Sequence, residues 1–174
     1  MNDAAYWIWL LRTLGPAAVL QDILQYFGSA RGLYEAGSAE WRLSGLLTAK
    51  QITALTRFSP SQSADVLRDC AQNGWKIVTP DSLLYPARLR ELRKLPPVLF
   101  VWGDETVLLR EAQIAVVGTR KASAYGLRVA SLLTEALAKS GMVVVSGGAL
   151  GVDSAAHEGA LRAGGKTIAV LGCG

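Results

Sequence analysis

The fold is indicated by a short apolar run that leads into a glycine turn, Ile114-Ala115-Val116-Val117-Gly118-Thr119-Arg120. A continuous apolar run with β-branched residues is typical of a parallel strand that is buried on both faces. A helix is expected to follow, from about Ala124 to Lys139. Its apolar stripe comprises Val129, Leu132, Leu133, Ala136 and Leu137. The pattern predicts a strand–turn–helix unit with Gly118-Thr119-Arg120 at the carboxyl end of the strand.

The same unit is repeated twice towards the end of the chain. A strand is predicted at Met142–Val145, and the glycine-rich turn Ser146–Gly151 follows it. A helix at Asp153–Ala163 then leads to a strand at Lys166–Leu171 and to the turn Gly172-Cys173-Gly174. This alternation predicts right-handed crossovers and a parallel sheet with helices on both faces.

The first part of the chain has a different pattern, and we expect a small helical domain at residues 1–74. Its elements are expected at Trp7–Leu14, Ala17–Tyr26, Arg31–Glu35 (a turn), Ala49–Arg57 and Ser61–Asn73. The segment Leu43–Thr48 allows a helix–hairpin–helix that donates amides to a nucleic-acid phosphate. The alternative is a helical bundle used for packing or protein contacts, which the six basic and six acidic residues of 1–75 favour.

The second domain is expected at residues 75–174, so the fold class is α/β, with a Rossmann-like parallel sheet after the helical domain. It is expected to begin with a strand at Lys76–Thr79, a helix at Asp81–Lys94 and a strand at Val98–Trp102. The predicted helix carries a basic cluster near its end, Arg88, Arg90, Arg93 and Lys94.

Composition limits the classes of function. The net charge is +4, and the excess lies in residues 76–174, where twelve basic residues face eight acidic ones, which favours a polyanionic partner. The apolar run Tyr6–Leu11 is too short to span a bilayer, and no signal peptide is recognised. Two distant cysteines, Cys70 and Cys173, and the single His157 predict a cytoplasmic protein without a metal site or a cofactor.

The glycines after the predicted strands point to an anion-binding crevice. Ligands of open parallel sheets bind beyond the carboxyl ends of the strands, where glycine allows backbone amides to approach an anion. The residues expected to line this crevice are Gly118, Thr119, Arg120, Lys121, Ser123, Ser146, Gly147, Gly148 and Gly151. Arg120 can clamp a phosphate with two parallel hydrogen bonds. Ser123 can instead be a helix N-cap, and Tyr125 can stack on a base or pack in the core.

Familiar nucleotide and hydrolase motifs are absent. No G-x-G-x-x-G follows the first strand and no carboxylate follows the second, which disfavours NAD. Gly165-Lys166-Thr167 imitates the end of a P-loop but precedes a predicted strand, and no G-x-S-x-G is present. Asp153 and His157 are four residues apart on one predicted helix and can form a dyad, but we favour Asp153 as the cap of that helix.

Several of these motifs together resemble the DNA-processing protein A family, also called DprA or Smf. The matching segments are Val116–Arg120 with Ser123, Tyr125 and Gly126, then Ser146–Leu161 and Thr167–Leu171, and more loosely Tyr85-Pro86, Leu95–Phe100 and Gly103. The helical part resembles that family's sterile-alpha-motif-like or helix-hairpin-helix domain.

The resemblance implies an extended Rossmann fold without catalytic activity. It implies a protein that binds and protects incoming single-stranded DNA and helps to load RecA onto it in natural transformation, with Gly118-Thr119-Arg120 as the phosphate-binding element. It further implies that the full-length protein forms a homodimer. Because the family's sheet has more strands, we expect this chain to be a fragment of a longer protein. The alternative function is a nucleotide-binding enzyme related to lysine-decarboxylase-like phosphoribohydrolases.

Overall fold

The computed structural model describes residues 2–16 and 18–172, which form two compact units, Met1–Glu105 and Thr106–Gly174. The expected helix start at Ala17, and Cys173 and Gly174 of the last turn, lie outside the described residues. The units divide later than the expected boundary at 74/75. The physical reason is that Ile77, in the first of two short strands of this region, and Val98, directly before the second, pack against the hydrophobic core of the helices.

The first unit is a set of helices around one almost fully buried helix. Its helices are α1 (Ala4–Leu14), α2 (Gln21–Phe27), α3 (Ala30–Leu43), α4 (Ala49–Arg57), α5 (Ala64–Gln72) and α6 (Ala87–Arg90), with a 3₁₀ turn at Pro60–Ser63. The strands β1 (Lys76–Val78) and β2 (Leu99–Val101) form an antiparallel pair. Trp7, Trp9 and Leu10 of α1 are at most 1% exposed, as expected of a helix that is apolar nearly all round. Both indoles are hydrogen-bonded: that of Trp7 donates to the Asp81 carboxylate at 2.6 Å, and that of Trp9 donates to the Phe58 carbonyl at 2.9 Å.

Two elements of this unit differ from the sequence-based expectation. The turn expected at Arg31–Glu35 is part of the long helix α3, which bends at Gly37, where φ is 74°. The burial of Leu33 and Trp41, and the hydrogen bond from the Trp41 indole to the Leu33 carbonyl at 2.6 Å, tie the two halves of the helix together.

The helix expected at Asp81–Lys94 is wrong except for the single turn of α6. Pro86 restricts the residue before it, and the buried Tyr85 donates from its hydroxyl to the Pro96 carbonyl at 2.7 Å, which holds the segment in a loop. Arg90 donates to the carbonyls of Pro80 and Ser82. The basic cluster is therefore not at the end of a long helix, and one of its members stabilises the loop.

The second unit contains a three-stranded parallel sheet with strand order β3-β4-β5. A 3₁₀ segment at Glu105–Leu109 begins at the boundary between the units. The elements that follow it are β3 (Gln113–Ala115), α7 (Ala124–Lys139), β4 (Val143–Ser146), α8 (Val152–Arg162) and β5 (Thr167–Ala169). The α/β class and the parallel sheet are confirmed. None of the helices in the described residues combines the length and the apolarity that crossing a bilayer requires.

Burial in this unit is uneven, because α7 and α8 pack against each other and therefore share one face of the sheet. The described residues thus place helices on one face rather than on the two expected. The central strand β4 is buried, with Val143 and Val144 at most 2% exposed. Contrary to the prediction, the edge strand β3 is not buried on both faces: Ala115 is exposed, and Val117, two residues beyond the end of the strand, is 74% exposed.

The contact between α7 and α8 is made by small residues rather than by the predicted apolar stripe. Ala130, Ser131, Thr134 and Ala138 are the buried residues of α7, whereas Leu132 is 56% exposed. A Cβ atom at Gly159 of α8 would lie 2.2 Å from the Thr134 Oγ1 and 2.3 Å from the Ser131 carbonyl oxygen. The two helices approach so closely only because residue 159 has no side chain.

Gly159→Ala is expected to lower the free energy of unfolding by about 1–3 kcal/mol, because the added methyl group must push the backbones of α7 and α8 apart. The measurement is urea unfolding followed by circular dichroism. Gly126→Ala is the matched control, since a Cβ there meets only ordinary contacts of 3.4 Å or more and alanine favours the helix. Equal stability of the wild type and Gly159→Ala would contradict the close-packing explanation.

His157 joins α8 to β5 through Thr167. The Thr167 hydroxyl donates to the Val144 carbonyl at 2.8 Å, so it accepts from the His157 Nδ1–H at 2.6 Å. This assigns the proton to Nδ1, and Nε2 is buried with no hydrogen-bond partner among the described residues. Burial lowers the pKa of His157 below its ordinary value of 6.5, and the Asp153 carboxylate opposes this to a smaller extent.

Acid is therefore expected to destabilise this unit through His157. Because the pKa of the folded state is the lower one, the unfolded chain takes up the proton first as the pH falls below 6.5. Stability is complete above that pH and declines below it. Urea unfolding between about pH 8 and pH 5 measures this decline. His157 is the only histidine of the chain, so His157→Gln should remove most of the pH dependence of stability near pH 6.5. A variant whose stability depends on pH as the wild type's does would contradict this role of His157.

Candidate functional site

The three parallel strands place their carboxyl ends at one edge of the sheet, and the predicted glycine turns lie there. Residues 118–121 follow β3, and residues 147–151 follow β4. Gly118, Thr119, Arg120 and Lys121 are all exposed, as are Gly147 and Gly148. The structure therefore brings the two predicted glycine turns together at one accessible edge.

The two turns touch through their backbones at Gly151. A Cβ at this position would lie 2.3 Å from the Thr119 carbonyl oxygen and 2.8 Å from that of Arg120, and the φ of Gly151 is 90°. The Val152 amide donates to the same Thr119 carbonyl at 3.2 Å. The close carbonyl oxygens and the positive φ both require glycine at position 151. Its role is to let the backbones of the two turns contact each other.

A buried carboxylate also joins the two turns. Asp153 is 7% exposed, and its two oxygens accept from different turns: Oδ1 from the Gly118 amide at 3.3 Å and Oδ2 from the Gly147 amide at 3.2 Å. These two amides therefore point inwards, to Asp153, rather than outwards. Sequence reasoning placed Asp153 at the helix cap, but Gly151 is the N-cap residue and no side-chain cap is formed.

The outer surface of the site is basic. Arg120 and Lys121 are exposed, and none of the ion pairs in the described part of the chain involves either residue. The amides of Thr119, Arg120 and Gly148 have no hydrogen-bond partner among the described residues. A guanidinium group beside free backbone amides can hold a phosphate or another oxyanion.

The remaining predicted site residues have different environments. Ser123 is the N-cap of α7, and its hydroxyl accepts from the Gly126 amide at 3.1 Å. Ser146 is 3% exposed and donates to the Val116 carbonyl at 2.6 Å, so its hydroxyl joins β4 to the segment after β3. Tyr125 is 78% exposed, which removes the core alternative and leaves its ring free to stack.

Asp153 and His157 do not form a dyad in the described structure. The Asp153 oxygens accept from two backbone amides, and the His157 Nδ1 faces Thr167. A general base needs an oriented hydrogen bond to its partner, and that bond is missing between these two residues. Sequence reasoning missed the bridging role of Asp153, although a carboxylate two residues after a glycine-rich turn is a signal worth testing.

The chain is similar to known proteins in sequence and in fold. Residues 76–174 match the model of the family described as DNA recombination-mediator protein A. The chain is 34% identical to Protein Smf of Synechocystis over 99% of its own length and 45% of that protein. It is 38% identical to the DNA processing protein DprA of Bacillus subtilis over 63% of this chain and 37% of that protein.

A solved structure shows the same fold. The crystal structure of DNA processing protein A from Streptococcus pneumoniae covers 100% of this chain with a TM-score of 0.72 and 26% identity, and the chain covers 59% of it. The chain thus spans less than half the length of the curated relatives named above. On the family match, the relatives and the shared fold together, this chain belongs to the DNA recombination-mediator protein A family, whose members include DprA and Smf.

Proposed function

We propose that the glycine-turn edge of the second unit binds the phosphate backbone of single-stranded DNA. The observation that carries this proposal is the exposed Arg120 guanidinium, which has no ion-pair partner in the described residues and lies in a turn with free backbone amides. Charge-assisted hydrogen bonds from guanidinium to phosphate are about twice as strong as neutral ones. The proposed phosphate-binding element is the turn Gly118-Thr119-Arg120, with Lys121 beside it; Thr119 and Arg120 supply the contacts, because the Gly118 amide donates to Asp153.

A single strand is the proposed form of the DNA because of Tyr125. Its ring is 78% exposed at the start of α7, two residues after the N-cap Ser123. An exposed aromatic ring stacks on an unpaired base with a gain of about 1–3 kcal/mol, whereas the bases of a duplex are already stacked. The basic excess of residues 106–174, seven basic against four acidic residues, supports a polyanionic ligand.

The family description and the relatives support a role in recombination. The matching model is named for a DNA recombination mediator, and the relatives are named as DNA processing proteins. The proposed role is to protect incoming single-stranded DNA in the cytoplasm and to help load RecA onto it during natural transformation. We further propose that the full-length protein forms a homodimer.

The proposed activity is binding rather than catalysis. The two residues considered as a dyad, Asp153 and His157, are each engaged in separate hydrogen bonds. The alternative, a phosphoribohydrolase acting on nucleoside monophosphates, predicts release of free base. Incubation with nucleoside monophosphates, followed by chromatography for free base, tests it, and base release that depends on His157 would replace binding as the main function.

Arg120→Ala is expected to weaken binding of single-stranded oligonucleotides by roughly 10- to 100-fold. The loss should be similar for every base sequence, because phosphate contacts carry no base information. The slope of log affinity against log salt should fall by about 0.7, the value for one phosphate contact on a single strand. Fluorescence anisotropy over a salt series measures both quantities.

Two variants serve as controls for this titration. Arg120→Lys retains the charge but loses the paired geometry, so it should bind with intermediate affinity and an unchanged slope. Arg128→Ala removes the same charge from an exposed position of α7, outside the turn, and should have a smaller effect. Wild-type affinity in a folded Arg120→Ala protein would refute the assignment of the phosphate contact.

A further inference from the structure

The buried carboxylate of Asp153 is the best-defined polar group at the carboxyl edge of the sheet. It is 7% exposed, and each of its oxygens accepts an amide hydrogen from a different glycine turn. A Cβ at Gly147 would lie 2.8 Å from Oδ2, so the carboxylate lies directly against the backbone. A buried carboxylate is costly unless its oxygens are hydrogen-bonded. The loss of either amide contact would therefore leave one Asp153 oxygen buried without a partner, which favours keeping both turns in place.

We propose that Asp153 is a positioning residue for the anion site, one that holds the Gly118 turn and the Gly147 turn in register without contacting the ligand. The inference rests on the proposed binding of single-stranded DNA. Asp153 belongs to α8 and accepts from the ends of two neighbouring strands, so one side chain connects three elements. Together with the contact between Gly151 and Thr119, the Asp153 side chain sets the position of the turn that carries Arg120.

This arrangement divides the amides of the two turns into two groups. The amides of Gly118 and Gly147 bind Asp153 and are not available to a phosphate. The amides of Thr119, Arg120 and Gly148 have no partner in the described residues. Phosphate is therefore bound by this second group together with the Arg120 side chain.

Charge and geometry make opposite predictions for Asp153. A carboxylate beside an anion site repels the anion, so neutralising it would strengthen binding if charge were its only effect. Asparagine, however, has one acceptor oxygen and a donor nitrogen, and the nitrogen would face one of the two amide donors. Asp153→Asn therefore releases one turn, and a positioning role predicts weaker binding.

The experiment is an anisotropy titration of the whole chain with a single-stranded oligothymidylate over a salt series. Asp153→Asn should weaken binding by about 5- to 30-fold with an unchanged salt slope, because no phosphate ion pair is lost. Glu158→Gln is the matched control: it removes one negative charge from an exposed position of the same helix and should leave affinity equal or slightly higher. Equal or tighter binding by folded Asp153→Asn would overturn the proposal.

Amide hydrogen exchange by NMR tests the wild type without depending on a variant's stability. The amides of Gly118 and Gly147 should be protected without DNA, and that of Gly148 should become protected only when oligothymidylate is added. Rapid exchange of Gly118 and Gly147 would overturn the positioning role. If those two are protected but the wild type binds no DNA, the proposed function fails, and with it the positioning role of Asp153 for DNA, while the bridge between the turns stands.

Discussion

The arrangement of the carboxyl edge of the sheet depends on a backbone contact that leaves no room for a side chain at Gly151. A Cβ at residue 151 would lie only 2.3 Å from the Thr119 carbonyl oxygen. The same oxygen accepts a hydrogen bond from the Val152 amide at 3.2 Å. Glycine at 151 lets the turn after β4 pass beneath the turn after β3, and α8 starts from that point. The contact therefore sets both the separation of the two turns and the direction of the helix that follows.

The same physical constraint recurs between the helices. Gly159 brings α8 close to Ser131 and Thr134 of α7, and α7 therefore uses its small residues, not its leucines, for this contact. Backbone proximity at Gly151 and Gly159 brings Asp153 to a position from which it reaches two strand ends. Glycine at this edge thus has two roles: it permits close approach, and its amides either donate to Asp153, as at Gly118 and Gly147, or have no partner among the described residues, as at Gly148.

Local signals explain which elements were predictable. The bounds of α4 and α7 agree with the sequence prediction, because Thr48 and Ser123 cap them with side chains that accept from residues three positions later. The prediction failed at Asp81–Lys94, where Tyr85 is held by the distant Pro96 carbonyl. It also failed for the burial of β3, because burial depends on the neighbouring strand and on which face the helices cover.

The sequence by itself determined the order of strands and helices, the glycine turns that follow the strands, and the location of Arg120 in the first of these turns. These follow from periodicity, capping and turn preferences, which act over a few residues. Only the tertiary structure decided that Asp153 accepts from Gly118, 35 residues earlier in the chain, and that His157 faces Thr167. Such pairings depend on how closely whole elements approach each other, and that distance is set by packing and not by local sequence.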